Sequence, residues 1–229
     1  MPYILVSLIS VLDVVFILIR NKVKNEIGLV FKMLGSINFI IFAIICFILN
    51  KSSNINYSLY IFGGLSFGFI GDFLLGVRRI AKNKHLFLIG GLFFFLIGHF
   101  MYIGAITYLS SVNYFLLALF IFIFFGISVF IGFAFRFTFK KLKFGVAPYV
   151  FTSSLLLALS LCLLLSKFND NKSYFFITLA SLLFVVSDAI LCFLYFKNLD
   201  QNLKLKLNRI SSYCYLTAQN IFALTIFLI

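Results

Sequence analysis

The chain has 229 residues, of which 63% are hydrophobic, 20% aromatic and 11% charged. A soluble domain of this length needs far more polar surface to stay dispersed, so the composition excludes a soluble globular protein and indicates that lipid is the main solvent. The formal net charge is +13, which in a soluble protein would suggest a nucleic-acid partner. Here the positive residues gather between apolar stretches, as in membrane proteins, and we expect no nucleic acid to bind.

Eight apolar stretches follow one another along the chain, each near the length of roughly 20 residues that a helix needs to cross a bilayer. We predict an all-α fold, a polytopic transmembrane helical bundle of about eight spans in a single transmembrane domain over residues 1–229. The spans are predicted near 3–19, 28–49, 57–77, 86–108, 113–135, 145–166, 173–196 and 210–229. The first stretch carries Asp13 and lacks a small-residue cleavage pattern, so we interpret it as a retained helix and not as a secretory signal.

The basic residues sort by loop. Those of the first, third, fifth and seventh loops lie within 20–24, 78–84, 136–143 and 197–209, whereas the other loops carry only Lys51, Lys167 and Lys172. Because Lys and Arg are enriched in cytoplasmic loops, both termini are predicted on the non-cytoplasmic side. The expected location is a bacterial plasma membrane, with membrane lipids as neighbours.

Glycine is concentrated in the third and fourth predicted spans. Gly64 and Gly68 have the four-residue spacing of small residues that lets helix backbones approach closely in lipid. We therefore expect these two spans to pack against each other at the centre of the bundle.

Three acids lie inside predicted spans, where a carboxylate costs at least a few kcal/mol. Asp13, Asp72 and Asp188 lie six to nine residues from the nearest basic residue of an odd-numbered loop, or roughly 9–13 Å along a helix. Lys32 enters the second span from the same side of the membrane. Their shared depth predicts that they converge on one buried polar site.

Other polar side chains also fall within the spans. His99 and Tyr102 share a helix face because they are three residues apart. Tyr149 lies near the start of the sixth span, and Gln219 and Asn220 lie near the middle of the eighth. Such residues either support a working site or form hydrogen bonds between helices, and the sequence leaves both interpretations open.

A purely structural interpretation also exists for the charged residues. Asp13 and Lys32 would neutralise one another, and Asp72 and Asp188 would be a satisfied buried pair. We favour function for Asp72 and Asp188, because ionisable residues within membrane spans most often mark a functional site.

Four short fragments occur in order along the predicted spans: Gly71-Asp72-Phe73-Leu74-Leu75, Gly91-x3-Phe95-x3-His99-x2-Tyr102, Ser187-Asp188 and Tyr215-x2-Ala218-Gln219. In order and spacing they resemble the YhhN-like lysoplasmalogenase family over most of the chain. Lys32 falls where that family usually has Lys-Pro, although Met33 replaces the proline here.

The resemblance implies hydrolysis of the vinyl ether bond of lysoplasmalogens, which yields a fatty aldehyde and glycerophosphocholine or glycerophosphoethanolamine. The expected partner is a lysophospholipid substrate that enters from the inner leaflet, and no cofactor or metal is expected.

Two buried carboxyl groups suit this chemistry. Protonation of the vinyl β-carbon generates an oxocarbenium ion, so the reaction needs an acid and a nearby anion, as in glycosidases. Asp72 and Asp188 are the predicted catalytic pair, and which of them is the acid stays open. The supporting residues, for substrate binding or for orienting the acids, are predicted to be Lys32, His99, Tyr102, Tyr149, Gln219 and Asp13.

Three other functions remain as alternatives. A small proton- or cation-coupled transporter would use the buried aspartates as an ion path, although no inverted repeat is evident. A scaffold would use its basic loops to bind anionic lipids, but this leaves the buried acids unexplained. A zinc hydrolase would normally need several His or Cys ligands around one ion, and the sequence offers only His85 and His99.

Overall fold

The computed structural model describes residues 2–20, 22–50, 54–109, 113–137, 143–167 and 172–229, and the side chains of these residues except 2–5 and 143–144. Within these ranges the regular structure is helical throughout. The eight helices are α1 (Pro2–Arg20), α2 (Asn25–Asn50), α3 (Ile55–Val77), α4 (Lys84–Leu109), α5 (Tyr114–Ala134), α6 (Lys143–Ser166), α7 (Ser173–Phe196) and α8 (Gln201–Leu228). A helix satisfies its own backbone hydrogen bonds, which is the condition for crossing lipid.

The helices coincide with the eight predicted spans, and the predicted helical bundle is confirmed. Among the described residues, the six helices α2 to α7 are long and apolar enough to cross a membrane, which makes the protein a multi-pass membrane protein. The helix α8 begins at Gln201, nine residues before its predicted start at 210, because its first turns are charged and hydropathy detects only the apolar part. Three basic residues used for the orientation, Lys51, Lys140 and Lys141, lie outside the described residues.

The helix α5 is the peripheral helix of the bundle. None of its residues is buried, and its phenylalanines are largely uncovered, with Phe122 80% and Phe133 86% exposed. Its substantial packing contact is with α6. Aromatic side chains in such numbers are stable on a surface that faces lipid, so α5 presents most of its circumference to the membrane.

The glycines of α3 and α4 form the predicted close contact. A Cβ added at Gly98 would lie 3.3 Å from the carbonyl oxygen of Gly64, and one at Gly91 would lie 3.4 Å from that of Gly71. The two backbones therefore touch, and this pair has the most extensive contact in the bundle. The second half of α8, which is almost wholly buried, packs with α2, α3 and α7.

A substitution at Gly64 tests this contact. A Cβ there would overlap the ring of Tyr102, which cannot move away because it is stacked on Phe222 at 4.1 Å and its hydroxyl donates to Gln219. We expect Gly64→Ala to lower the free energy of unfolding by about 1–3 kcal/mol, the usual cost of overpacking. The measurement is unfolding in mixed micelles with increasing SDS.

The matched control is Gly126→Ala in α5. Nothing lies within 4 Å of a Cβ at that position, so alanine adds only helix propensity there and stability should be unchanged or slightly higher. Equal stability of the two variants would contradict the close packing of α3 on α4.

Candidate active site

A polar cleft that is lined by two of the buried acids opens at one end of the bundle. The last turns of α1, α3 and α7 meet the first turns of α2 and the first half of α8 there, at the end that the charge pattern predicts to face the cytoplasm. The cleft has an empty volume of about 720 Å³, including its open mouth. Both Asp72 and Asp188 line it, together with Lys32, Arg20 and Arg79.

Asp72 is buried on α3 and receives an ammonium and a hydroxyl group from α2. The Nζ atom of Lys32 lies 2.9 Å from Asp72 Oδ1 and also donates to the Asp72 backbone carbonyl oxygen at 2.9 Å. The hydroxyl of Ser36 donates to Asp72 Oδ2 at 2.7 Å. Lys32 and Ser36 are four residues apart, so one face of α2 supplies both donors.

Asp188 is buried on α7 and receives its donors from α6. Tyr149 Oη donates to Asp188 Oδ1 at 2.7 Å, and Ser153 Oγ donates to Asp188 Oδ2 at 3.1 Å. These two residues are again four apart on one helix face. His99 of α4, which is fully buried, places its Nε2 atom 3.4 Å from Asp188 Oδ2 and 3.4 Å from Ser153 Oγ.

The two carboxylates thus have different partners. A cation and a hydroxyl contact Asp72, whereas two hydroxyls and an imidazole contact Asp188. The cleft therefore offers two acids in unequal environments.

A layer of aromatic and amide groups closes the inner end of the cleft. Tyr215 of α8 lines the cleft and packs edge-on against the rings of Phe95 and Phe184. Behind it, the hydroxyl of Tyr102 donates to Gln219 Oε1. Tyr102 and Gln219 do not line the cleft, so they support its floor through Tyr215 and its neighbours.

Two other cavities share lining residues with the cleft. A wide basic vestibule with an empty volume of about 1450 Å³ shares Arg79 and Tyr195 with the cleft and is open to solvent. An apolar cleft between α5, α6 and α7, of about 580 Å³, has Tyr149, Ser153 and Asp188 in its wall. Asp188 therefore lies between a polar opening at the bundle end and an apolar opening beneath α5.

The fragments that carry the family resemblance contribute Asp72, His99, Asp188 and Tyr215 to or beside this cleft. The family model of the YhhN family matches residues 27–226. The chain belongs to the YhhN family. The match runs from the start of α2 almost to the end of α8 and confirms the family predicted from the sequence. No curated protein and no solved structure matches the chain.

One predicted site residue lies elsewhere in this YhhN-family chain. Asp13 is buried on α1 and accepts hydrogen bonds from Asn220 at 2.7 Å and from Asn38 at 3.4 Å. It does not line the cleft, and it precedes the segment that the YhhN family model matches. Lys32 pairs with Asp72, so the alternative in which Lys32 neutralises Asp13 does not occur.

Sequence reasoning missed several residues that line the cleft or contact its acids. Ser36 and Ser153 are each one helical turn beyond a predicted residue, so the spacing of four from Lys32 and Tyr149 was the available signal. Tyr215 belongs to a YhhN-like fragment but was not singled out. Arg20 and Arg79 were interpreted only as orientation charges, because a loop count does not show which way a side chain points.

Proposed function

We propose that the protein hydrolyses the vinyl ether bond of lysoplasmalogens to a fatty aldehyde and glycerophosphocholine or glycerophosphoethanolamine. The observation that carries this proposal is the cleft that Asp72 and Asp188 line together. They come from α3 and α7, more than a hundred residues apart, and each is held by donors from a separate helix. Membership of the YhhN family supports a shared membrane activity but does not itself specify the bond that is cleaved.

The reaction begins with proton transfer from a carboxyl group to the β-carbon of the vinyl ether. The α-carbon becomes an oxocarbenium ion, which water attacks while a carboxylate accepts the proton that the water loses. The hemiacetal then collapses: its hydroxyl proton is released, the carbonyl forms and the glycerol oxygen departs with a proton. One water is consumed, and the two carboxyl groups regain their initial proton between them.

We assign the proton donor to Asp188 and the anion to Asp72. Lys32 lies 2.9 Å from Asp72 and favours its negative charge, which then stabilises the oxocarbenium ion and accepts the proton of water. Asp188 is surrounded by Tyr149, Ser153 and His99, and the imidazole offers a route by which a proton returns to it. This arrangement corresponds to the two unequal carboxyl groups of a glycosidase.

The cavities suit an amphiphilic substrate. The basic vestibule would admit the charged head group from the cytoplasmic side, and the apolar cleft beside Asp188 would receive the hydrocarbon chain. A lysophospholipid lying across Asp188 would present its ether bond, which joins these two parts, to the carboxyl group.

The test is aldehyde release by the purified protein in detergent micelles. We expect release from 1-alkenyl-lysophosphatidylcholine or its ethanolamine counterpart, with and without chelator, and none from the saturated 1-alkyl ether, which has no double bond to protonate. In D2O the aldehyde should carry one deuterium on the carbon next to the carbonyl group. Aldehyde without that deuterium would contradict the proposed protonation step.

The same assay separates the hydrolase from the transporter. Micelles hold no gradient, so a transporter releases no product in them. If folded protein releases no aldehyde from either vinyl ether, the hydrolase assignment is wrong, and proton-coupled uptake into sealed vesicles becomes the next measurement.

A further inference from the structure

The charges of the cleft do not balance. Arg20, Lys32 and Arg79 line it, and the acids among the described residues of its lining are Asp72 and Asp188. Lys32 is engaged by Asp72 through both its carboxylate and its backbone carbonyl, and Asp188 is contacted by groups of α4 and α6. The two arginines are therefore left as positive charges at the entrance of a cleft that already contains both acids.

Arg20 is unusual because its guanidinium group is buried. The residue is only 6% exposed, its Nη2 atom donates to Ser212 Oγ at 2.7 Å, and its Nε atom has no hydrogen-bond partner among the described residues. A buried donor without a partner costs free energy, more so when the group is charged. An anion in the cleft would relieve this cost.

The second guanidinium is fixed by the same helix. Arg79 Nη2 donates to Asn208 Oδ1 at 3.2 Å, and Ser212 Oγ donates to the carbonyl oxygen of Asn208 at 2.7 Å. Asn208 and Ser212 are one turn apart on α8, so one turn of that helix holds Arg20 from α1 and Arg79 from the turn that follows α3. Two pre-positioned guanidinium groups match the two free oxygens of a phosphodiester, which arginine binds in a fork geometry.

We propose that Arg20 and Arg79 form the binding site for the phosphate of the lysophospholipid, with Ser212 and Asn208 as the residues that position them. This inference rests on the proposed function for the identity of the ligand. In the substrate the three glycerol carbons separate the phosphate from the vinyl ether. A phosphate at the mouth of the cleft would therefore hold the ether farther in, toward Asp72 and Asp188. The two arginines would select phospholipids over neutral glycerol ethers.

The experiment measures binding without turnover. The probe is tritiated 1-alkyl-lysophosphatidylcholine, whose saturated ether cannot be hydrolysed by this route, in a scintillation-proximity assay with purified protein in micelles. The comparison ligand is 1-alkylglycerol, which has the same chain and ether but no phosphate. We expect Arg20→Gln and Arg79→Gln each to raise the Kd of the phospholipid about 10- to 100-fold, as for loss of a charged hydrogen bond, and to change that of the alkylglycerol less than twofold.

Two control variants complete the design. Lys82→Gln removes an exposed cation of the α3–α4 loop that does not line the cleft, and it should leave both Kd values unchanged. Arg79→Lys keeps the charge without the fork and should lie between wild type and Arg79→Gln. Because Arg79 is exposed, its variants should fold even if burial makes Arg20→Gln unstable.

Several results would overturn the proposal. One is an equal loss of both ligands in the Arg79 variant, which would mean a structural role. Another is equal binding of the two ligands by wild type. Competition by inorganic phosphate alone, as strong as by glycerophosphocholine, would identify a site for free phosphate instead of a lipid head group. Binding that follows these expectations without any aldehyde release would retain the phosphate site and reject the hydrolase.

Discussion

Asp188→Asn is expected to reduce aldehyde release about 10²- to 10⁴-fold, the range that general acid catalysis contributes. Asparagine has nearly the same shape and still accepts the hydrogen bond from Tyr149, so the helices should pack as before. Asp72→Asn should cause a loss of the same order, because it removes the anion beside the oxocarbenium ion. The measurement is kcat for both variants in micelles, with substrate binding followed separately through the saturated ether.

The matched control for these variants is Asp13→Asn. This acid is buried at a similar depth, but its partners are Asn38 and Asn220 and it does not line the cleft. We expect its kcat to stay within a few-fold of wild type. Full activity of either Asp72→Asn or Asp188→Asn would contradict the two-carboxylate mechanism. Equal losses of kcat in all three variants would indicate a general requirement for buried acids.

Lys32→Met should destabilise the protein strongly, by about 3–5 kcal/mol, the usual cost of removing one partner of a buried ion pair. The carboxylate of Asp72, buried on α3, would keep the hydroxyl of Ser36 as a donor but would lose its counter-charge. SDS-induced unfolding in mixed micelles measures this change. Methionine retains most of the lysine stem, so the loss reports the missing charge more than missing packing.

The double variant distinguishes a pair from two separate contributions. Lys32→Met combined with Asp72→Asn leaves no unpaired charge, and we expect it to recover a large part of the lost stability. Lys24→Met, which removes an exposed cation ahead of α2, should have no measurable effect. Strictly additive losses in the double variant would show that the contact at 2.9 Å contributes no coupling energy.

Much of the fold could be predicted because lipid imposes a simple rule on the sequence. The helix α7 has the predicted limits, Ser173–Phe196, since polar residues end the apolar stretch abruptly at both sides. The start of α8 could not be predicted in this way, because a charged helix outside the lipid resembles a loop in hydropathy. The charged first turns of α8 are helical because they continue directly into the apolar helix that follows them.

Of the candidate site, the sequence predicted mainly the acids within membrane spans, which are rare in such segments. An acid within a membrane span is conspicuous, so Asp72 and Asp188 stand out in the sequence, but their partners depend on how neighbouring helices are rotated and shifted. The periodicity of the sequence does not predict that Tyr149 of α6 contacts Asp188. It also does not predict that Lys32 pairs with Asp72 and not with Asp13. The same limit applies to Arg20, which hydropathy treats as the end of a span although its side chain turns inward.

The hydrogen bond between Asp13 and Asn220 joins α1 to α8, which the ribosome synthesises after the six helices between them. The two residues are 207 positions apart, and Arg20 is likewise fastened to Ser212 of α8. While the chain is being synthesised, α1 is therefore complete before these polar partners exist. Asp13 acquires its hydrogen bond from Asn220 only when α8 packs beside α1, and this bond offsets part of the cost of burying the acid. Packing of α8 beside α1 is thus the step that gives these two buried polar side chains of α1 their partners on α8.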